Sequence, residues 1–338
     1  MEQAHFRVLD PYTQPSTRSS SFSPEAVARQ EHIFDRINGE LQAINSLASS
    51  QPVVIKGVKA SDIYASVSEL FDACPNLQAY ETRINWLDDT LVITRPLALH
   101  RFTAGFFFAL ARLTVNGNGN GKGLPTNRYN GSDIQIGGSA AIRLLDGFKN
   151  PTCSLYDVNA SREATLNDTP TVVIEVGYNV PPIELAFTSG RFVCASLGVV
   201  QLVVAIQLKF SDECNRDGFR VLDSLAISSW EPMQVEKFPT WDGPLDTVFR
   251  ADCSGLSQFP INQYKLVKKL SRGYAQFTAR ETKVQEIPVS SSPCALDYTF
   301  DITYGQLYRE PLVADFNKIA MSIPHATIWH LIKDNINV

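Results

Sequence analysis

Hydrophobic positions along the chain change period several times, and each change marks an element. Ile33, Phe34, Ile37, Leu41 and Ile44 recur at helical spacing behind Ser23-Pro24-Glu25, where serine can cap and proline can open a first turn. That spacing predicts a helix from residue 23 to about residue 48. Val53 to Ile55 follows as a short strand, and Ile63, Val67, Leu70 and Phe71 predict a second helix, from Ser61 to a stop at Cys74-Pro75. Two β-type runs, over residues 80–86 and 90–94, flank Leu87-Asp88-Asp89 and predict a hairpin. Pro96 ends it, and residues 97–113 (LALHRFTAGFFFALARL) predict a strongly apolar helix.

Strand-like runs continue at residues 133–136, 140–145, 153–158 and 171–176, then a helix over about 182–197 leads into a strand at 199–210. Residues 197–208 (LGVVQLVVAIQL) are the most hydrophobic stretch, too short and too interrupted by glutamine to span a bilayer, so they read as a central strand. Hairpin-like strands run on to about residue 238, and residues 239–260 read as loop. Residues 264–270 read as a helix whose solvated face carries Lys265, Lys268 and Lys269. Residues 296–302 alternate as a half-buried strand, and the C-terminus reads as one or two helices with Pro324 opening the last. Residues 1–22, rich in Ser, Thr, Pro and Gln, are expected to be disordered. The order helix, hairpin, helix, strands, helix, strand predicts an α/β layer fold with a mixed central β-sheet flanked by helices. One domain is expected over 23–238, with a C-terminal strand and helix extension over 239–338 packed on it.

Composition fits an ordinary soluble globular chain, 44% hydrophobic and 19% charged. A net charge of −5 supplies no global basic field, so a DNA partner would need a local patch. Six cysteines at 74, 153, 194, 214, 253 and 294 include no Cys-x-x-Cys pair, which removes zinc-site spacing. Lacking a charged-then-apolar leader, the chain is expected to be intracellular, cytoplasmic or nuclear, with no membrane partner. The glycine-rich Asn116–Gly123 run is not a phosphate loop, because no strand leads into it and no Lys-Ser/Thr closes it. No Gly-x-Ser-x-Gly elbow, His-Glu-x-x-His or dinucleotide fingerprint occurs, which leaves hydrolase, zincin and Rossmann readings without support.

The chemistry concentrates at residues 170–178 (PTVVIEVGY), where Glu175 ends an apolar, β-branched run. A carboxylate there is costly unless a metal, a partner or water meets it. The hairpin ending Thr90–Pro96, His100 behind it, Lys149-Asn150-Pro151, and PTVVIEVGY leading through a helix into LGVVQLVVAIQL together resemble the putative restriction-endonuclease branch of the PD-(D/E)XK nuclease superfamily. Residues 300–311 (FDITYGQLYREP) resemble a tail of fungal members. The resemblance covers residues 78–210 well and 295–312 weakly, and it implies a restriction-endonuclease-like core.

It also implies two carboxylates holding Mg²⁺ against a phosphodiester, with a lysine to position the attacking water. Glu175 matches the second carboxylate. The first falls on Thr152 of Pro151-Thr152, and the lysine falls on Gly177. Asp157 is the replacement acid, although its parity in a regular strand points it to the face opposite residue 152 unless a bulge re-aims it. Arg191 stands where a migrated basic residue would sit, able to grip phosphate but not to act as a base. The expected catalytic set is therefore Glu175, Asp157 and Arg191, with Glu175 and Asp157 as metal ligands. Glu81 and Asp133 could add a contact, and Lys209, His100 and the 265–269 lysines read first as structural or solvated residues. Two functions follow as expectations. One is a nuclease-fold binding module, for nucleic acid or protein, with a degenerate metal site and no cofactor. The other is an active Mg²⁺-dependent DNA nuclease.

Overall fold

Alternating runs of β-branched residues build three sheets. The computed structural model of the chain describes residues 6–9, 23–45, 52–59, 72–74, 83–94, 134–157, 169–214, 220–242, 247–251, 264–287, 299–309, 313–326 and 328. In chain order these hold β1 (Phe6–Leu9), α1 (Pro24–Asn45), β2 (Val53–Lys56), β3 (Arg83–Leu87), β4 (Thr90–Thr94), β5 (Ile134–Ile136), β6 (Ile142–Leu144) and β7 (Gly147–Lys149). Then come β8 (Cys153–Asp157), β9 (Val172–Tyr178), α2 (Pro182–Ala195), β10 (Leu202–Cys214), β11 (Arg220–Phe238), β12 (Thr247–Ala251), β13 (Tyr264–Lys269) and β14 (Tyr274–Ile287). β15 (Thr299–Thr303), the one-turn α3 (Tyr304–Leu307) and β16 (Ile319–Pro324) complete the set.

The hairpin forms as its alternation requires. In β3, Ile84 and Trp86 are buried while Arg83 and Asn85 face the other way, and Asp88 takes the left-handed φ of 52° that a tight turn needs. β2, β4, β3, β7 and β6 form one five-stranded antiparallel sheet. α1 lays Ile33, Phe34, Ile37 and Leu41 onto the face of that sheet carrying Ile55, Ile84, Trp86, Leu91 and Ile93. Burying one such side chain contributes about 1.5–3 kcal/mol, so four of them dominate the fit of α1 to the sheet.

Nine strands form the larger sheet, ordered β1-β12-β13-β14-β11-β10-β9-β8-β5. It is mixed: β9 and β10 run parallel, Glu175 beside Ala205, while β8 is antiparallel to β9 with Cys153 beside Ile174. The parallel pair requires a crossover, which α2 supplies. α2 covers the face bearing Val173, Val203 and Ala205 through Leu185, Phe192 and Val193. The opposite face, with Val172, Ile174 and Val176, is covered by Phe300, Ile302, Leu307, Met321 and Ile323 of the two-stranded β15-β16 sheet and α3. The architecture is thus mixed α/β and mostly strand. The second face of the large sheet carries a small sheet with one helical turn where flanking helices were expected.

Four sequence expectations change. Residues 264–269 form strand β13, not a helix, because Tyr264, Leu266 and Val267 are needed in the core while the lysines between and after them stay at the surface. Residues 247–251, expected as loop, form β12, and β12, β13 and β14 lie within the large sheet itself rather than beside it. Phe6–Leu9, within the segment expected to be disordered, pairs with β12. Ile319–Pro324, within the C-terminal stretch expected to be helical, forms β16, and helical geometry begins at His325, directly behind Pro324 as that proline predicts. The 97–113 helix, the 116–123 loop and most of the 61–74 helix lie outside the described residues. Among the described residues no helix is long and apolar enough to cross a membrane.

Candidate functional site

The two large sheets meet where the chain leaves β7 at Lys149, passes Asn150-Pro151 and enters β8. Period-2 geometry puts Thr152 and Glu175 side by side on the α2 face of the β8/β9 pair, next to the registered Cys153 and Ile174. The Thr152 amide donates to Glu175 Oε2 at 2.9 Å. Thr152 Oγ1 accepts from the Val176 N–H at 3.1 Å and lies 3.4 Å from Oε2, so this threonine ties the two strands together. From β3, Arg83 Nη2 donates to both carboxylate oxygens at 3.1 and 3.2 Å and to the Asn150 carbonyl at 3.0 Å. Lys149 Nζ stands 3.6 Å from Oε1, an ion pair longer than a hydrogen bond. Asn150 fixes the corner: its Oδ1 accepts from the Ile84 N–H at 2.7 Å, and its own N–H donates to the Ile84 carbonyl at 2.9 Å.

Glu175 therefore sits between two cations. Its side chain is 8% exposed, against 11% for Lys149 and 13% for Arg83. Burial pushes the Lys149 amine below its ordinary pKa; Glu175 opposes that shift, and Arg83 and Arg191 add to it. Mg²⁺ asks for several oxygen ligands, usually including one or two carboxylates. Glu175, the one carboxylate at this corner among the described residues, already accepts from a guanidinium and an amide, a hydroxyl stands where the partner acid would be, and two cations oppose a third. These residues do not fit a divalent ion. Among the described residues, no three His, Cys, Asp or Glu side chains group to hold a metal.

Asp157 does not join Glu175. It shares parity with Cys153 and Leu155, so it belongs to the other face of the sheet, and it lies five residues along from Thr152, about 16 Å at strand rise. There its Oδ2 accepts from the Arg309 N–H at 3.0 Å, and the Arg309 guanidinium donates to the Thr169 carbonyl. Thr171 Oγ1 donates to the Leu307 carbonyl at 2.7 Å beside them. Asp157 anchors the C-terminal segment, and no bulge re-aims it.

Arg191 is committed elsewhere. Fully buried on α2, it donates to Asp146 Oδ1 at 2.9 Å, Asn85 Oδ1 at 2.6 Å and the Trp86 carbonyl at 2.6 Å. Tyr264 OH completes the cluster, donating to Asp146 Oδ2 at 2.7 Å. Lys209 forms an exposed pair with Asp223 at 3.7 Å. Gly177, where the family lysine would fall, has no room for a side chain, since an added Cβ would run into Val180. Glu81, Asp133 and His100 lie outside the described residues.

Sequence reasoning missed Arg83 and Lys149 as the partners of Glu175. The signal for Arg83 was the alternation Arg83-Ile84-Asn85-Trp86, which puts two polar side chains on the face opposite Ile84 and Trp86. No protein-family model matches the chain, and no curated protein or solved structure shows significant similarity to it.

Proposed function

We propose that this protein is a metal-independent binding module on a restriction-endonuclease-like core, its partner a nucleic acid or a protein, and that it is not a nuclease. The core reading is supported by the β8–β9 antiparallel pair, the α2 crossover and the parallel β10, with an acid on the middle strand. One observation carries the functional reading: both oxygens of Glu175 are engaged by Arg83, the Thr152 amide and Lys149, while Asp157 lies on the other face. In a nuclease of this kind the carboxylate must be available to a cation that it shares with a phosphodiester. Here protein cations occupy that role.

The test is incubation of supercoiled plasmid with the full chain in Mg²⁺ or Mn²⁺. The expected result is no nicking above a buffer control and equal thermal midpoints in EDTA and in either metal. Divalent-dependent cleavage that disappears in Glu175→Ala would overturn the proposal.

A further inference from the structure

We propose that the Arg83–Lys149 corner binds a phosphate-class oxyanion directly, with no metal ion between. This deepens the reading of the corner as a metal-free ion-pair site and rests on it. Charge count comes first. Among the described residues Arg83 and Lys149 both face the Glu175 carboxylate, whereas the neighbouring Arg191 has the Asp146 carboxylate at 2.9 Å. An excess cation in a largely buried setting is unfavourable, and a bound anion supplies the missing charge.

Donor capacity is the second argument. Among the described residues only Nη2 of Arg83 makes hydrogen bonds, which leaves the Nε and Nη1 donors of a planar fork suited to phosphate oxygens. Lys149 has three N–H donors, and among the described residues its Nζ meets only the Glu175 carboxylate at 3.6 Å and the face of the Phe192 ring at 5.9 Å, neither of them a hydrogen bond. Access is the third: both side chains keep exposed surface, 13% and 11%, while the arginine of the balanced pair keeps 2%. The Glu175 oxygens are turned to Nη2 and to the Thr152 amide, so one positive charge remains for an incoming group.

Inorganic phosphate titrated into the full chain by calorimetry, at ionic strength held with sodium chloride, tests this. Saturable binding is expected, weakened roughly ten- to a hundred-fold in Lys149→Met and in Arg83→Gln, and retained in Lys149→Arg. Circular dichroism of each variant confirms folding, and Lys149→Met keeps the test decisive if Arg83→Gln does not fold. No saturable heat in the wild type, or equal affinity in Lys149→Met, overturns the inference. A parallel Mg²⁺ titration separates the two claims. Neither ligand binding removes only the phosphate site, whereas Mg²⁺ binding lost in Glu175→Gln removes the metal-free reading as well. Competition with a 5′-phosphorylated oligonucleotide identifies the source. Displacement of phosphate assigns the site to nucleic-acid phosphates, and no displacement assigns it to a free phosphate; either supports an oxyanion at the corner.

Discussion

Two charged clusters lie along the seam between the sheets, and they are built to opposite rules. At the Arg191 cluster, the guanidinium meets the Asp146 carboxylate, and half-buried Asn85, the Trp86 carbonyl and the Tyr264 hydroxyl add hydrogen bonds, with Arg191, Asp146 and Tyr264 all buried. At the Glu175 cluster, two cations share one carboxylate, one of them only at 3.6 Å, and each side chain keeps a small exposed area, 8 to 13%. A closed, balanced cluster of this kind fixes geometry, here joining α2 to β3 and to the β6–β7 turn. An open, unbalanced one has charge left over for something outside the chain. Position alone does not separate them, because β3 supplies both: Arg83 to one and Asn85 to the other.

The largest expected effect is at the closed cluster. Arg191→Met takes the cation from buried Asp146 and leaves the buried Trp86 carbonyl and the half-buried Asn85 amide oxygen without their donor, a loss of about 3–5 kcal/mol. Urea unfolding monitored by tryptophan fluorescence measures it, and a loss under about 1 kcal/mol would mean that the cluster does not fix the sheets together. Glu175→Gln leaves Arg83 and Lys149 adjacent with no anion, but with water in reach, so a smaller loss of roughly 2–3 kcal/mol is expected. If Glu175→Gln proves the costlier of the two, the contrast between open and closed clusters is reversed.

Lys149→Met removes the excess cation and should change stability by less than about 1 kcal/mol, in either direction. It should also flatten the pH dependence. The folded pKa of Lys149 lies below its ordinary 10.5. Between those two values the unfolded chain holds the extra proton, so this group makes stability rise with pH until 10.5 is passed. Wild-type minus Lys149→Met stability, measured from pH 7 upward, should climb on this alkaline side, and a flat difference would remove Lys149 from the balance. The smallest effect belongs to Lys209→Ala, where an exposed pair with Asp223 at 3.7 Å contributes little. Its unfolding midpoint should match wild type within scatter, which calibrates the other three.

Local pattern carried much of this fold. The β3–β4 hairpin, β9 within PTVVIEVGY, and a helix expected over 182–197 and found over Pro182–Ala195 all follow from short-range periodicity. Parity also placed Asp157 on the face away from Thr152, where it holds the Arg309 backbone. β13 looks helical in sequence because lysines at 265, 268 and 269 recur at helical spacing, while the burial of Tyr264 and Leu266 follows a strand. The Glu175 cluster was legible only in part. Its acid stands out within an apolar run, but Arg83 reaches it from 92 residues away and Lys149 from the adjoining sheet. Nothing in local spacing encodes how two sheets abut.

The central claim is that protein cations, not a divalent ion, neutralise Glu175. Thermal unfolding of the wild type and of Glu175→Gln across a Mn²⁺ titration, each referenced to EDTA, tests it most directly. Midpoints independent of Mn²⁺ are expected in both proteins. A saturable rise in the wild type that vanishes in Glu175→Gln would contradict it.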